Sequence, residues 1–308
     1  MDDTARRFLT ERRLSGTAPA TLECYERDLG RFWSWLESEG RPTAVDAIRR
    51  EDVVDFIGHL GSLPKTERRR NPMGTAAIAF RSLRSFWNWL IEVEDVPADR
   101  SPMRGVSAPR VPEVPVPILA EDEITRLLDT VRKSKDLEAR RDYAILRVFL
   151  DTGARLGEVV GLTVEDYDDE NGLLRIRRET SKSKRERVLY LSAETQVALG
   201  RWVGLARPKM PEAARTSRMW VSRKGYVTDS GVSQIVKRRA KQAGLIGVHP
   251  HTLRHTFAHH ALASGLTEGD TMKRGGWSSR SMLDRYGKTG AGERSNDAFR
   301  RAGFADRW

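Results

Sequence analysis

Apolar residues return every three or four positions along residues 1–95, the period of helices that bury one face. In the stretch TLECYERDLGRFWSWLESEG those positions are Leu22, Tyr25, Leu29, Phe32, Trp33 and Leu36. Thr17 or Thr21 can cap this helix, and Gly40 followed by Pro42 ends it. Another helix is expected over 75–93, with Ala79, Leu83, Phe86 and Leu90 on one face. Trp33, Trp35, Phe86, Trp87 and Trp89 fall at helix-packing positions and are read as core, not as base-stacking groups.

The pattern breaks at residues 96–119, which hold six prolines. Proline removes backbone donors and blocks helix, so this stretch reads as an extended linker. Beyond it the chain is mixed. Residues 120–133 and 138–152 carry helical patterns. LLRIR and RVLYL alternate as strands, and the intervening SKSKRE reads as a hairpin turn. Helical patterns return near 192–206, 228–243, 251–265 and 278–286, with a last short one over 291–302. There is no internal repeat. The expected fold is mainly α with a small β-sheet. It comprises a helical domain over 1–100, a Pro-rich linker over 101–117 and a mixed α/β domain over 118–308.

Charge adds a partner to this picture. The 308 residues carry a net charge of +11, and the pI is about 10.0. A basic balance of this size fits a polyanion such as double-stranded DNA, because Lys and Arg gain affinity by releasing phosphate counterions. Residues 1–110 hold 18 basic and 17 acidic side chains, and the remainder holds 36 and 26. The excess therefore sits in the second part, which should carry most of the phosphate contact. In the first part, the loop KTERRRNP with Arg68, Arg69 and Arg70 is either a solvated turn or a phosphate contact. Arg84 is a further candidate DNA contact. No apolar run approaches the ~18–20 residues of a membrane span. The charged N-terminus lacks the apolar stretch of a signal peptide, so a cytoplasmic protein is expected, nucleoid-associated through its DNA partner. Cys24 is the only cysteine, which excludes an internal disulfide and argues against a thiolate zinc site.

Five elements carry candidate chemistry. Thr152-Gly153-Ala154-Arg155 is a small turn that puts Arg155 at a helix start, where backbone N–H groups also favour an anion. An arginine there can clamp a phosphate bidentately. Glu158, one turn later, can orient arginines or backbone groups. His251 and Arg254 are three apart and share a helix face, with Leu253, Phe257, Ala261 and Leu262 on the buried side. His251, His255 and His259 recur every four residues, yet no glutamate completes an H-E-x-x-H pattern, so no metal site is assigned. Gly276-Trp277 precedes Tyr286 by nine residues. A tyrosine of pKa ~10 is a poor nucleophile until arginines stabilise its phenolate and the phosphorane. Lys182, in the hairpin turn, can protonate a leaving alkoxide. Lys184 and Arg185 beside it are candidate DNA contacts. Taken singly, each of these residues is as readily an ordinary surface or core residue.

Together they resemble the tyrosine recombinase (phage integrase) family, of the Xer-like kind. TGARLGEVVGL is similar to the family's first box, with Arg155 as its first catalytic arginine. HPHTLRHTFAHHALASG is similar to the second, with His251 and Arg254 at the His-x-x-Arg positions. GGWSSRSMLDRYGK is similar to the segment that ends in the nucleophile, with Trp277 standing where a second histidine is usual. SKSKRERVLYL is similar to the lysine-bearing hairpin. The resemblance covers nearly the whole chain, and residues 1–100 resemble the core-binding domain. The chain opens almost directly on those helices, which leaves little room for a separate arm-site-binding domain.

The resemblance implies a site-specific recombinase. Tyr286 would form a 3′-phosphotyrosyl bond while Arg155 and Arg254 hold the non-bridging oxygens. His251 and Trp277 would complete the pocket, and Lys182 would protonate the departing 5′-oxygen. Four identical subunits on paired sites would exchange strands through a Holliday junction, without ATP, metal or other cofactor. Two alternatives remain: a type IB topoisomerase with similar chemistry, and a non-catalytic DNA-binding protein on a decayed recombinase scaffold.

Overall fold

The computed structural model describes residues 3–66, 71–112, 117–180 and 186–281, with isolated positions at 283, 292, 295, 296, 299, 300 and 303. The chain divides into two compact units, Met1–Val114 and Pro115–Trp308. The first is helical: α1 (Asp3–Leu14), α2 (Pro19–Ser38), α3 (Arg50–Ser62) and α4 (Pro72–Glu92). Its core is aromatic. Phe8, Phe32, Trp33, Phe56, Phe86 and Trp87 are all buried. Phe32 meets Trp87 edge-on at 5.8 Å, and Phe86 meets Trp87 edge-on at 5.0 Å. Such contacts add about 0.5–1.5 kcal/mol per pair beyond area burial. Trp35 and Trp89 are buried too, so every aromatic assigned to helix packing lies in this core.

The helix boundaries differ from the sequence reading. Helix α2 is capped by neither Thr17 nor Thr21. It begins at Pro19, and Ala18 occupies the N-cap without a side-chain hydrogen bond. Proline at the first helical position has a preset φ and no N–H to satisfy, which fixes the start there. Helix α4 begins at Pro72, earlier than expected. The Asn71 side chain caps it by accepting from the Gly74 N–H at 2.9 Å.

The second unit is built around α6 (Leu137–Thr152), which is buried on most sides and packs against α5 (Glu121–Arg132), α8 (Ala193–Gly200), α9 (Asp229–Gln242) and α10 (Pro250–Ala263). On α6, Asp142 is fully buried and accepts from Arg141, Arg238 and Arg239, which ties α6 to α9. A three-stranded antiparallel sheet runs β1 (Tyr167–Asp168), β2 (Leu173–Ile176) and β3 (Arg187–Tyr190), with Ile176 opposite Arg187. The connection from β2 to β3 contains residues 181–185, outside the described residues. Helix α7 (Leu156–Val160), a second hairpin of β4 (Val221–Ser222) with β5 (Gly225–Tyr226), and α11 (Glu268–Gly275) complete the unit. The helical pattern over 192–206 resolves into α8 and a π-helical turn over Arg201–Ala206. The elements β1, β4, β5 and α11 have no counterpart in the sequence reading.

Helix α10 is anchored at both ends. Its N-cap residue His249 accepts from the Thr252 N–H at 3.3 Å. Midway along it, Thr256 Oγ1 accepts from the Leu119 N–H at 3.0 Å, and near its other end the His260 ring bonds the Leu119 carbonyl at 2.8 Å. The uncapped start of α2 offers a direct check of helix accounting. Replacing Ala18 with Ser should stabilise the protein by about 1 kcal/mol, read as a higher melting temperature. An unchanged or lower midpoint would contradict the capping assignment.

Candidate active site

The site begins where α6 ends. Gly153 terminates α6 in the left-handed region, at φ +60°. A Cβ there would also lie 2.2 Å from the Phe257 ring, so the position admits only glycine. Its carbonyl accepts from Arg254 Nη1. Two residues on, Arg155 takes the N-cap of α7. Its backbone N–H donates to Glu158 Oε2 at 2.8 Å, and its Nη1 donates to Glu158 Oε1 at 3.2 Å. The backbone N–H that the sequence reading offered to an anion is therefore held by the protein's own carboxylate.

Three arginines converge on the C-terminus of α11. A helix leaves its last four carbonyls without partners inside the helix. Here Gly276, at φ +69°, closes a left-handed cap. The Trp277 N–H donates to Met272 O at 2.9 Å and the Gly276 N–H to Lys273 O at 3.3 Å, the two bonds of a Schellman turn. Guanidinium groups take the following carbonyls in order. Arg187 Nε donates to Arg274 O at 2.9 Å, Arg254 Nη1 to Gly275 O at 2.6 Å, and Arg155 Nη2 to Gly276 O at 2.8 Å. Cations are favoured at this negative end of the helix dipole, by about 0.3–2 kcal/mol each. A Cβ on Gly276 would come within 2.8 Å of Arg187 Nη1 and 3.4 Å of Arg155 Nη1.

Trp277 closes the arrangement. The Arg254 guanidinium carbon lies 4.0 Å from the centre of its ring, and the indole stacks on Phe257 at 6.4 Å. A desolvated cation–π contact of this kind is worth about 2 kcal/mol. Arg254 is 3% exposed and Arg155 has 17% of its side chain exposed. The two cations therefore reach adjacent carbonyls while Arg155 stays open to solvent.

Glu158 balances the cluster. It is 1% exposed and receives Arg187 in a fork, at 3.2 and 2.7 Å, as well as Arg155. Burial pushes its pKa upward, but the Arg187 hydrogen bond and charge, with Arg155, outweigh this and hold it below the usual carboxylate value. Arg187 is the site residue that sequence reasoning missed. The signal was there: Arg187 alternates in β3 with the exposed Val188 and Tyr190 and shares the inward face with the buried Leu189. An arginine on a buried strand face requires a carboxylate. Arg274 extends the network, donating to Asp151 Oδ1 at 2.8 Å and to Tyr190 O at 2.7 Å.

His251 lies in the first turn of α10 and is exposed, whereas Arg254, three residues on, is buried. Their shared face thus spans the solvent boundary. The His251 and His255 rings are 6.4 Å apart. Burial, followed by the nearby His251, His249 and Arg254, lowers the His255 pKa to about 4. Among the described residues no group of His, Cys, Asp or Glu is placed to hold a metal ion, and no helix is long and apolar enough to cross a membrane. Arg84 is exposed on α4, 5.8 Å over the Phe80 ring. Lys182, Lys184, Arg185, Tyr286, Arg68, Arg69 and Arg70 lie outside the described residues. Of the other tyrosines, Tyr25 packs on Phe8 in the helical unit, Tyr143 is buried, the Tyr167 phenol is raised by burial and its bond to Asp169, and Tyr190 and Tyr226 are exposed.

Both titrating groups make acid destabilising. The Glu158 contribution is complete above the ordinary carboxylate value and is lost as pH falls through its lowered one. His255 favours the fold as a neutral ring, so its contribution is complete above 6.5 and declines as pH falls toward about 4. Thermal melts from pH 8 to pH 4 should show falling stability, and an NMR titration should place His255 well below an ordinary histidine. Glu158→Gln should destabilise the fold by about 3–5 kcal/mol at neutral pH, because it leaves two guanidinium groups without their counter-charge. A wild-type melting temperature for that variant would contradict the charge balance.

Comparison with known proteins places this geometry. Residues 117–291 match the phage integrase family. Tyrosine recombinase XerD of Bifidobacterium longum is 30% identical over 260 residues, covering 81% of this chain and 80% of that protein. Tyrosine recombinase XerC of Chromobacterium violaceum is 31% identical over 271 residues, covering 86% and 82%. Among solved structures, XerH bound to palindromic difH substrate, a post-cleavage complex, superposes with a TM-score of 0.71 at 16% identity, covering 95% of this chain and 82% of that one. The Tn1549 transposon integrase in complex with transposon right end DNA also gives 0.71, at 17% identity, covering 92% and 94%. The fold and the sequence agree, and the chain belongs to the phage integrase family of tyrosine recombinases, of the Xer type.

Proposed function

We propose that the chain cuts and rejoins double-stranded DNA at specific sites, with Tyr286 as nucleophile and the arginine cluster as its phosphate pocket. The observation that carries this reading is the delivery of Arg254 and Arg155 to the adjacent carbonyls of Gly275 and Gly276, in the segment that leads to Tyr286 nine residues after Trp277. Two guanidinium groups fixed side by side stabilise charge as it develops on non-bridging phosphate oxygens, and fixed donors need no reorganisation during the reaction. Tyr286 releases its phenolic proton to solvent as Oη attacks phosphorus, the bond to the 5′-oxygen breaks, and Lys182 gives that oxygen a proton. The product is a 3′-phosphotyrosyl bond with a free 5′-hydroxyl. The ester linkage is conserved, so ligation is the reverse attack and consumes no ATP. His251 borders the pocket from the first turn of α10, and Glu158 holds Arg155 in place.

The remaining assignments follow from the same reading. Residues 1–100 form the core-binding domain, 101–117 the linker and 118–308 the catalytic domain. Arg68, Arg69, Arg70, Arg84, Lys184 and Arg185 contact DNA phosphates. Four copies assemble on two sites and pass through a Holliday junction. The segment after Tyr286, with Ala298, Phe299 and Ala302 in an apolar stripe, docks on a neighbouring subunit. The protein works in the cytoplasm, on the nucleoid.

The test uses a nicked suicide duplex, its site selected from a random library by binding to the protein. Wild type should give a covalent protein–DNA band on a denaturing gel, whereas Tyr286→Phe should bind the duplex and give none. Arg155→Ala should slow covalent trapping by about 100- to 1,000-fold. A covalent band from Tyr286→Phe would sink the nucleophile assignment.

A further inference from the structure

We infer that Asp151 is a positioning residue for strand cleavage: with Arg274 it clamps the ends of α6 and α11 at the spacing that holds Arg254 between them. The inference rests on the reading above, in which Arg254 stabilises charge on a phosphate oxygen.

Asp151 and Arg274 are each the last residue but one of their helices. The Arg274 side chain grips Asp151 twice. Its Nε donates to the Asp151 carbonyl at 3.0 Å and its Nη2 to Asp151 Oδ1 at 2.8 Å. The first bond satisfies a carbonyl that α6 leaves open at its C-terminus, where a cation is also favoured. The pair is largely withdrawn from solvent, with 12% of the Asp151 side chain and 23% of the Arg274 side chain exposed. A lysine cannot reproduce this grip, because it lacks the planar fork that reaches a carbonyl and a carboxylate together.

The two backbones joined in this way are the two that hold Arg254. Its Nη1 donates to Gly153 O, two residues after Asp151, and to Gly275 O, the residue after Arg274. A single guanidinium nitrogen thus bridges the ends of both helices, and it meets both carbonyls only at one separation. Gly276 O, next along, receives Arg155. The spacing set by the clamp therefore reaches both arginines of the pocket.

The second oxygen of Asp151 is held as firmly. Oδ2 accepts from the Ser192 N–H and from its hydroxyl, each at 2.8 Å. Ser192 is the N-cap residue of α8, where a serine ordinarily turns its oxygen to the N–H groups of its own helix. It makes no such bond here. Its hydroxyl goes to Asp151, and Arg147, one turn before Asp151 on α6, donates to the same hydroxyl at 3.3 Å. The start of α8 forgoes its cap, and the carboxylate is fixed at both oxygens. Losing the clamp frees the two helix ends to separate, and a displacement of about 1 Å can lower a rate by about 100-fold. The defect should then depend on the charge that Arg254 meets.

A scissile group without non-bridging charge reads this out. In a suicide duplex with a methylphosphonate at the scissile position, a methyl group replaces the charged oxygen, so the reaction depends less on where Arg254 sits. Single-turnover trapping of Asp151→Asn and Arg274→Lys on the ordinary phosphodiester should fall by roughly 10- to 100-fold relative to wild type, with DNA binding retained. On the methylphosphonate both should run near the wild-type rate for that substrate. Arg254→Ala should show the same dependence on charge. A normal rate for Asp151→Asn on the phosphodiester overturns the inference. So does an equal defect on the two substrates, which would make the pair a support of the fold only. Arg274→Lys keeps a cation beside Asp151, so the comparison survives if the asparagine variant does not fold. Arg254→Ala separates this inference from the reading it rests on. An equal defect of Arg254→Ala on both substrates means that Arg254 does not meet phosphate charge, and the pocket reading fails together with the clamp. Recovery of Arg254→Ala on the methylphosphonate without recovery of the two clamp variants overturns the clamp alone.

Discussion

The C-terminus of α11 accepts three guanidinium groups on three successive carbonyls, and the rest of the second unit is arranged so that this can happen. Like charges resist being gathered. At an effective dielectric of ~20, two unit charges about 4 Å apart interact with ~4 kcal/mol. Helix-end carbonyls, the Trp277 ring and the buried Glu158 offset that repulsion. Three guanidinium groups and one carboxylate leave a formal charge of +2. A pentacovalent phosphorane carries the opposite charge. If the cluster is the phosphate pocket proposed above, it is charged for the transition state more than for a phosphodiester monoanion, which is the differential stabilisation that accelerates chemistry.

Each arginine arrives from a different part of the chain: Arg155 from the turn after α6, Arg187 from β3 and Arg254 from α10. The cluster therefore exists only when the elements are packed together. This explains why so much structure surrounds a few side chains. Helix α6 ends at Gly153 so that its carbonyl and the next residues face Arg254, and α10 is held at both ends by His249 and by Leu119. In the proposed reading, donors fixed in this way act on a phosphate without rearranging.

Legibility in the sequence followed the physical signal available. Helices α2 and α4 stood out because large aromatics repeat at helical spacing and fill a core. The start of α2 did not, because Pro19 sets it through φ and leaves Ala18 at the cap. Helix α11 leaves no apolar pattern, because EGDTMKRG has a single large apolar residue, Met272, and buries only Thr271 and Gly275. Its importance lies in its backbone carbonyls, which no side-chain pattern records. The strands of β1, β4 and β5 are two residues each, too short for an alternation to register. Arg155, Glu158, Arg254 and Trp277 were named from motif and spacing, and the fold brings them together. Arg187 carries no motif: β3 shows only its alternation, and the carboxylate that pairs with the charge on its inward face, Glu158, is distant in sequence.

The arginine cluster depends on Gly276 leaving room for the guanidinium groups and holding a left-handed turn. The most direct measurement is the single-turnover rate of covalent complex formation by Gly276→Ala on a nicked suicide duplex, with DNA binding and melting temperature followed alongside. An added Cβ meets Arg187 and Arg155 and disfavours the turn, so cleavage should fall by about 100-fold while the protein still folds and binds DNA. Cleavage at the wild-type rate would contradict the claim that the end of α11 organises the phosphate pocket.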